Sequence, residues 1–414
     1  MTRRDYKLFF SIVLWSVLPF VYYLIRMNVV SVSGVDINIL GQMEWFDLMD
    51  EVIVTTFTVP LYYLLKPDKS CKARNGFAFA LSFGVYFVFT VFMVFHIFAV
   101  AEYMQAEHAA RYLMLQSVSL LESFISTFMF LLFTLNDDYK TVCFLTGFKV
   151  VASILLDLFF ISRFLEEGAS YSEIAVNVIL AAAAFGLAFR RNYIGVGRIG
   201  FGWIREWFSI GACCGIQIFL DNFIYAVMVC KMVNEVSEAG NYWIANNFIW
   251  GFLLVPVICL VEIIKKNRLF RLELKNTWVY CIGIIIGWVV SMPFWRWFIS
   301  VPMASKADEI LNIVYPLIPY YAAYMVSACI DGWFISKGKT VYNMINSCIV
   351  NVLYYGFVYF LFKKGCFSMD MAFIVKMFGT GMIVHLIFSV IFYMLEQKYI
   401  LKRVSRTLSD FKPT

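Results

Sequence analysis

The sequence predicts an all-α integral membrane protein, with twelve transmembrane helices arranged as two parallel six-helix repeats. Three observations predict this fold class: the composition, the alternation of long apolar segments with short polar ones, and short strings that recur in both halves. Hydrophobic residues make up 62% of the chain and charged residues only 15%, whereas soluble domains carry roughly 25% charged residues. A soluble globular fold is therefore excluded. Helix is the expected form, because a segment that crosses lipid must pair its own backbone polar groups.

Twelve apolar segments come close to or exceed the length of about 20 residues that a spanning helix requires. The first is too long for the apolar part of a signal peptide, and no small-residue cleavage site follows it, so we interpret it as a spanning helix. The predicted spans are residues 8–30, 46–65, 77–100, 112–135, 141–162, 172–189, 207–230, 242–264, 278–295, 310–334, 341–362 and 370–396.

Lysine and arginine are distributed unequally between the two sides of these spans. The two termini and every second loop hold 24 of the 34 basic residues, the remaining loops hold 8, and Lys149 and Lys376 fall inside spans. The positive-inside rule then places both termini in the cytoplasm. Because the basic residues lie at membrane edges, the net charge of +6 does not indicate a nucleic-acid partner.

A basic, glycine-rich stretch at residues 190–206 divides the chain into two predicted bundles, 1–189 and 207–414. We interpret it as a cytoplasmic connector. Its segment Gly195–Gly200 matches G-x-G-x-x-G but follows a membrane helix and not a strand, so nucleotide binding is excluded. The three histidines are scattered and no hydrolase or protease motif occurs, so an enzyme is not expected.

Three short strings recur in the two halves at nearly one offset. FSI at 10–12 recurs at 208–210, VP at 59–60 recurs at 255–256, and KTV at 140–142 recurs at 339–341. An offset of six spans keeps the orientation unchanged, so the repeat is predicted to be parallel. Repeats of this kind are related by an axis along the membrane normal, and substrate sites lie near the midplane between them.

Glu122 is the central acid of the first half, in the middle of the fourth predicted span. Serines at positions 119, 123 and 126 share its helical face. A charge at mid-bilayer costs at least ~3 kcal/mol, so this face is expected to point towards the interior or a wet cavity. Lys149 in the fifth span is a candidate partner. The alternatives are a structural Glu122–Lys149 ion pair and a functional site.

Asp221 lies near the middle of the seventh predicted span. Gln217 and Tyr225 share its helical face, and Asn222 lies beside it. The same span has no basic residue between positions 205 and 231, and an uncompensated carboxylate in a low dielectric holds a proton more readily. It could release that proton to bind a cation such as Na⁺, which is the chemistry that an ion-coupled transporter needs. The alternative is a carboxylate capped by a neighbouring helix.

Polar faces also occur on the tenth and eleventh predicted spans. Tyr324 and Asp331 share a face of the tenth, and the position of Asp331 near the cytoplasmic end and Lys337 favours a surface salt bridge. On the eleventh, Asn346 and Asn351, with polar residues at 343 and 347, either line a cavity or hydrogen-bond between helices. We assign the single polar residues at 96, 157, 376 and 385 no role beyond a buried partner.

Four acids cluster at the outer end of the second predicted span: Glu44, Asp47, Asp50 and Glu51. The helix dipole favours acids at a helix N-terminus, so capping is the favoured interpretation. A vestibule that attracts cations is the alternative.

The chain as a whole resembles the multidrug and toxic compound extrusion (MATE) family. Besides the twelve spans in two halves and the basic connector, two stretches carry the likeness: Glu238–Lys266 (EAGNYWIANNFIWGFLLVPVICLVEIIKK) and Ser336–Thr340 (SKGKT). The resemblance implies a V-shaped pair of bundles that export a solute by alternating access, driven by Na⁺ or H⁺ and without another cofactor. It also implies a monomer in a bacterial inner membrane.

The same resemblance suggests which acids matter. Family members often have a cation-binding acid in the seventh helix, where Asp221 is similar in position. Some use an acid in the first helix, but the first span here has none, which leaves Glu122. The family's tenth-helix acid would be expected deeper than Asp331, near Tyr324.

The favoured function is therefore a secondary active exporter of an organic, potentially cationic, solute. The first alternative is a flippase for a lipid-linked oligosaccharide or another lipid, for which Arg26 and Lys149 are the few candidates for a cationic cavity in the first half. The second alternative is a membrane scaffold or receptor that transports nothing.

Overall fold

The computed structural model is predominantly helical, and the described part of the chain contains no strand. The first predicted span lies largely outside the described residues. These are 43–64, 72–103, 109–224, 239–265, 274–300, 307–366 and 370–410, with single positions at 232 and at 9, 13, 17–18, 22, 25–26, 29–30 and 32–34.

Twelve α-helical segments and two π-helical segments account for most of these residues. The π-helices are Ile249–Leu253, between α6 and α7, and Ile349–Tyr355, between α10 and α11. The α-helices are α1 Met43–Leu64, α2 Lys72–Tyr103, α3 Ala110–Leu135, α4 Tyr139–Arg190, α5 Ile204–Ile224, α6 Ala239–Phe248, α7 Val255–Lys265, α8 Leu274–Ser300, α9 Ala307–Ser336, α10 Val341–Cys348, α11 Gly356–Lys363 and α12 Met371–Asp410.

The membrane prediction is confirmed for the described residues. Eight of their helical spans are long and apolar enough to cross a bilayer, and a bent helix pair would make a ninth. Helix occupies each predicted span from the second to the twelfth, although residues 225–230 of the seventh lie outside the described part. The total of twelve spans and the cytoplasmic placement of both termini stay predictions.

The fifth and sixth predicted spans both fall within α4. Leu165 has non-helical angles (φ 52°, ψ −124°) and divides this segment into two helices. Just after the break, a Cβ on Gly168 would lie 2.2 Å from the carbonyl oxygen of Phe160. Only glycine permits such a close approach of two backbones. Gly168 therefore allows the second helix to start within a few residues of the end of the first.

The two π-helices interrupt spans that the sequence predicts as continuous. The first lies beside a bend of 48° between Ala245–Leu253 and Val255–Lys265. At the last residue of this π-helix, the Leu253 carbonyl oxygen accepts a hydrogen bond of 2.9 Å from the indole of Trp288. π-Helical turns are rare and occur frequently at functional sites. The second π-helix contains Asn351, one of the polar residues that the sequence singles out.

The chain forms two compact units. The first comprises Met1–Phe219, Leu254–Cys259 and Phe298–Ser305. The second comprises Leu220–Leu253, Leu260–Trp297 and Lys306–Thr414. The division into bundles at 1–189 and 207–414 with a connector at 190–206 stays a prediction.

Close contacts between small and aromatic residues hold the first unit together. The buried Trp207 of α5 donates its indole N–H to the Phe57 carbonyl oxygen of α1 at 3.1 Å. One turn further along α5, a Cβ on Gly211 would lie 2.3 Å from the Thr56 carbonyl oxygen. Small residues that let backbones approach are typical of packing between membrane helices.

The turns that precede α4 and α10 share one hydrogen-bond pattern. In the first unit, the Asp138 amide donates to the Phe133 carbonyl oxygen at 2.9 Å, and the preceding residue has φ of 61°. In the second unit, the Lys339 amide donates to the Phe334 carbonyl oxygen at 2.9 Å, and the preceding glycine has φ of 70°. Positions 138 and 339 are 201 residues apart, so the KTV strings, at an offset of 199, do not align these turns.

An ion pair ties each turn to a later position in the same unit. Arg191, just after α4, pairs with Asp138 and donates to the Thr141 hydroxyl at 2.6 Å. Glu396 of α12 pairs with Lys339 and accepts a hydrogen bond of 3.0 Å from the Tyr342 hydroxyl. The two turns therefore use equivalent positions with the charges exchanged.

Candidate functional site

A polar cluster in the second unit is organised around Asp221 of α5. The Ser347 hydroxyl donates to Asp221 Oδ1 at 2.8 Å, and the side-chain amide of Asn351 donates to the same oxygen at 2.5 Å. Asn351 Nδ2 also lies 3.0 Å from the Ser347 hydroxyl oxygen. Both donors are buried. Asp221 is thus held by two neutral groups from the α10–α11 span.

A second carboxylate of the same unit, Asp331 of α9, lies against α12. His385 Nε2 is 3.4 Å from Asp331 Oδ2, and the Ser389 hydroxyl donates to Asp331 Oδ1 at 3.2 Å. Asn346 Nδ2 donates to the Ser389 hydroxyl at 2.9 Å and to the His385 carbonyl oxygen at 3.0 Å. His385 interacts electrostatically with both aspartates.

These contacts decide several sequence interpretations. The surface salt bridge for Asp331 is wrong: its side chain is only 14% exposed and faces His385. Lys337 follows six positions later, about 240° further around a helix, and its ammonium lies over the Trp333 ring instead. The eleventh-span asparagines hydrogen-bond between helices, as one of the two alternatives stated.

Other predicted site residues are less closely involved. Gln217 and Asn222 are half-buried residues of α5. Tyr324 packs with its ring 5.5 Å from Trp250 and 6.1 Å from Tyr321, so it belongs to an aromatic group. Tyr225 lies outside the described residues.

Glu122 of α3 does not pair with Lys149. Within the described part of the chain, its carboxylate has no hydrogen-bond donor and no basic partner, and its Oε2 is buried. Lys149 interacts with Glu173 and Arg26 instead. On the same face of α3, Ser119 accepts a hydrogen bond of 3.0 Å from Asn177. The ion-pair alternative for Glu122 is therefore wrong.

The first unit has its own charged cluster, which the sequence did not reveal. Arg26 forms an ion pair with Glu173 and lies 3.8 Å from Asp157, measured from Nε to Oδ2. Tyr22 donates to Asp157 Oδ2 at 2.8 Å and accepts from Arg26 at 3.2 Å. With Lys149 nearby, two basic groups balance two acidic groups. Arg26 and Lys149 therefore do not form an uncompensated cationic cavity.

The predicted acid cluster of the second span is described only in part. Asp50 lies two turns inside α1 and accepts a hydrogen bond from Tyr86 of α2, so capping of the helix start does not explain it. The side chains of Glu44 and Asp47 lie outside the described residues. Glu51 is exposed on α1.

Comparisons by sequence find no match, whereas comparison with solved structures finds several similar folds. No family model matches the chain, and no curated protein matches it. A point mutant of the Vibrio cholerae MATE transporter VcmN is similar with a TM-score of 0.76 and 12% identity, covering 96% of each chain. A multidrug resistance MATE family transporter in an outward-facing conformation has a TM-score of 0.73 and 13% identity, covering 95% of each chain.

A third similar structure is a MOP superfamily transporter from Pyrococcus furiosus, described by a reverse polarity of its binding pocket that suggests a different function. Its TM-score is 0.72 at 14% identity, covering 95% of this chain and 94% of that one. Identities this low establish architecture and no more. The chain therefore has the fold of the MATE transporters.

Proposed function

We propose that this chain is a MATE-type secondary active transporter that exports an organic solute by alternating access, coupled to Na⁺ or H⁺ at Asp221. The twelve spans, the cytoplasmic termini, the monomeric state and the placement in a cell membrane are parts of this proposal. The observation that carries it is the pair of second-unit carboxylates, Asp221 and Asp331. Within the described residues, neither has a lysine or arginine at ion-pair distance.

The balance of charge at this cluster explains why it would bind a cation. Two carboxylates share one histidine, so at least one negative charge lacks a permanent counter-charge even when His385 is protonated. A charge without a partner inside a membrane is costly, and a proton or Na⁺ would remove that cost. Na⁺ favours oxygen ligands, as other hard cations do. Asp221, the Ser347 hydroxyl and the Asn351 carbonyl, after rotation of its amide, would supply them.

Ion binding would drive transport by changing the contacts of α5. Ser347 and Asn351 now bind Asp221 directly, so a cation on Asp221 must displace or rearrange these donors. A ligand shifts a conformational equilibrium only by its difference in affinity for the two states. Asn351 belongs to a π-helical segment, whose geometry differs from that of an α-helix, and is suited to such a rearrangement.

The test is transport by the Asp221→Asn variant in proteoliposomes with an imposed Na⁺ or proton gradient. We expect gradient-driven transport to fall at least about tenfold, the effect of losing roughly 1.4 kcal/mol of coupling. Asp308→Asn is the matched control, because Asp308 is 70% exposed and forms an ion pair with the equally exposed Arg296. Unchanged gradient-driven transport by Asp221→Asn would remove Asp221 from the mechanism.

A flippase is less well supported, because Arg26 is paired with Asp157 and Glu173 in the first unit. A carrier for a lipid pyrophosphate would be expected to keep such a cation available. Binding of a labelled lipid-linked oligosaccharide to the wild-type protein would reverse this ranking.

A further inference from the structure

A cavity of about 400 Å³ lies in the second unit, between the first turns of α9 and α12. This volume is within the range of small-molecule sites, about 300–1,000 Å³. None of the predicted coupling residues lines it. Its walls are Glu309, Asn312, Ile313, Pro316, Met371, Ala372, Val375 and Lys376.

The lining combines one acid and one base with apolar walls. Asn241 donates to Glu309 Oε2 at 3.1 Å, which fixes the carboxylate. An ionised carboxylate has about four acceptor positions, so it can accept further hydrogen bonds. Lys376 is exposed and has no acid at ion-pair distance within the described residues. The cavity therefore offers an acceptor for a cationic donor and, separately, an ammonium for an anion.

Exposed charges beside the cavity favour a position near a membrane surface. Asp308, adjacent to Glu309, and Arg296 form an ion pair in which both side chains are 70% exposed, as expected for a position in water or among headgroups. Lys376 lies only five residues inside α12. A lysine near the end of a spanning helix extends its ammonium to the interface. Apolar residues from both helices form the remaining wall, which would contact acyl chains.

We propose that this cavity binds the headgroup of a phospholipid with a primary ammonium group, of the phosphatidylethanolamine class. Glu309 accepts a hydrogen bond from the lipid ammonium, and Lys376 contacts the phosphate. Met371 and Val375 contact the start of an acyl chain. A choline headgroup matches less well, because its trimethylated nitrogen has no N–H to donate to Glu309. This site is separate from the coupling cluster and does not depend on transport.

Native mass spectrometry of the full chain in detergent tests the proposal, with phosphatidylethanolamine, phosphatidylcholine and phosphatidylglycerol added in turn. We expect phosphatidylethanolamine to bind best. Lys376→Gln and Glu309→Gln should each weaken its binding about tenfold, the change that loss of one charge-assisted contact would give. Lys364→Gln is the matched control, because Lys364 is an exposed lysine in the turn just after α11.

Three results would overturn the proposal. One is equal binding of the three lipids. Another is a loss of binding in Lys364→Gln as large as in Lys376→Gln. The third is full competition by soluble phosphoethanolamine, which would identify a free zwitterion, and not a membrane lipid, as the ligand. If Glu309→Gln does not fold, Lys376→Gln and its conservative partner Lys376→Arg, which should keep binding, decide the question.

Discussion

The charged clusters of the two units differ in one respect, the supply of permanent counter-charge. In the first unit, Asp157 and Glu173 have Arg26 within ion-pair distance, and Lys149 interacts with Glu173. In the second unit, two carboxylates share a single histidine, and their other side-chain partners among the described residues are neutral hydroxyl and amide groups.

Under the proposed function, this difference separates a structural cluster from one that takes part in ion exchange. A carboxylate with a fixed arginine does not need an external cation, whereas one held by neutral donors gains from binding it. Buried ion pairs depend strongly on both partners. We therefore expect the first-unit cluster to respond to mutation mainly through stability, and the second-unit cluster mainly through ion dependence.

The largest expected effect is on the first-unit cluster. Arg26→Gln leaves Asp157 and Glu173 without their main counter-charge, so we expect a loss of about 3–5 kcal/mol in stability. Thermal unfolding of the purified variant measures this. Arg163→Gln is the control, since Arg163 is exposed and lies over the Phe159 ring. A melting temperature within about one degree of wild type would show that Arg26 has no such role.

The second prediction concerns ion dependence in the second unit. If Na⁺ binds at Asp221, Na⁺ at one hundred times its dissociation constant should stabilise the wild type by about 2.7 kcal/mol. Asp221→Asn should abolish this stabilisation, and Arg26 variants that still fold should keep it. Replacing Na⁺ with choline controls for ionic strength. A stabilisation that persists in Asp221→Asn would place the ion elsewhere.

Glu122 resembles neither cluster, because its carboxylate has neither an arginine nor neutral hydrogen-bond donors within the described residues. Its ionised form leaves a buried oxygen unsatisfied, which costs about 1–2 kcal/mol. Glu122→Gln should therefore gain more stability over wild type at pH 9 than at pH 5, because a carboxyl is more ionised at the higher pH. Unfolding at the two pH values measures the difference. The same stability difference at both pH values would contradict this account.

The smallest effects are expected at the two equivalent turns. Lys339→Gln removes the ion pair of Glu396, whose side chain is only 3% exposed, while Arg191→Gln removes that of Asp138, which is 15% exposed. Because Lys339 and Arg191 are both more than a third exposed, we expect losses of about 1 kcal/mol or less. Exchanging the charges in Lys339→Glu with Glu396→Lys should restore stability. Failure to restore it would mean that the turn requires the positive charge at position 339 and the negative charge at position 396.

The sequence predicted the helices well because hydropathy is a local property. It also identified Asp221 and Glu122, since each is an acid in the middle of an apolar run. It did not identify the partners. Asp157 and Arg26 are 131 positions apart, and nothing in the periodicity of either helix indicates that they meet.

His385 was missed for a related reason. A single histidine on an apolar helix carries no pattern, and its importance arises only from the approach of Asp331. The interpretation of Asp331 was wrong because its nearness to Lys337 along the chain was taken as nearness in space. Polar residues grouped on one helix, as at positions 346, 347 and 351, were a signal of interhelical contact that the sequence did contain.

The π-helix at Ile349–Tyr355 has a consequence for how this site could be altered. A wide turn accommodates one residue more than an ordinary one, so deleting a single residue such as Val352 could convert it to regular α-helix. Each residue of an α-helix turns by about 100°, and the deletion would rotate Asn351 relative to the residues that follow it. If Asp221 binds the coupling ion as proposed, the loss of one codon there would change the ion dependence of transport.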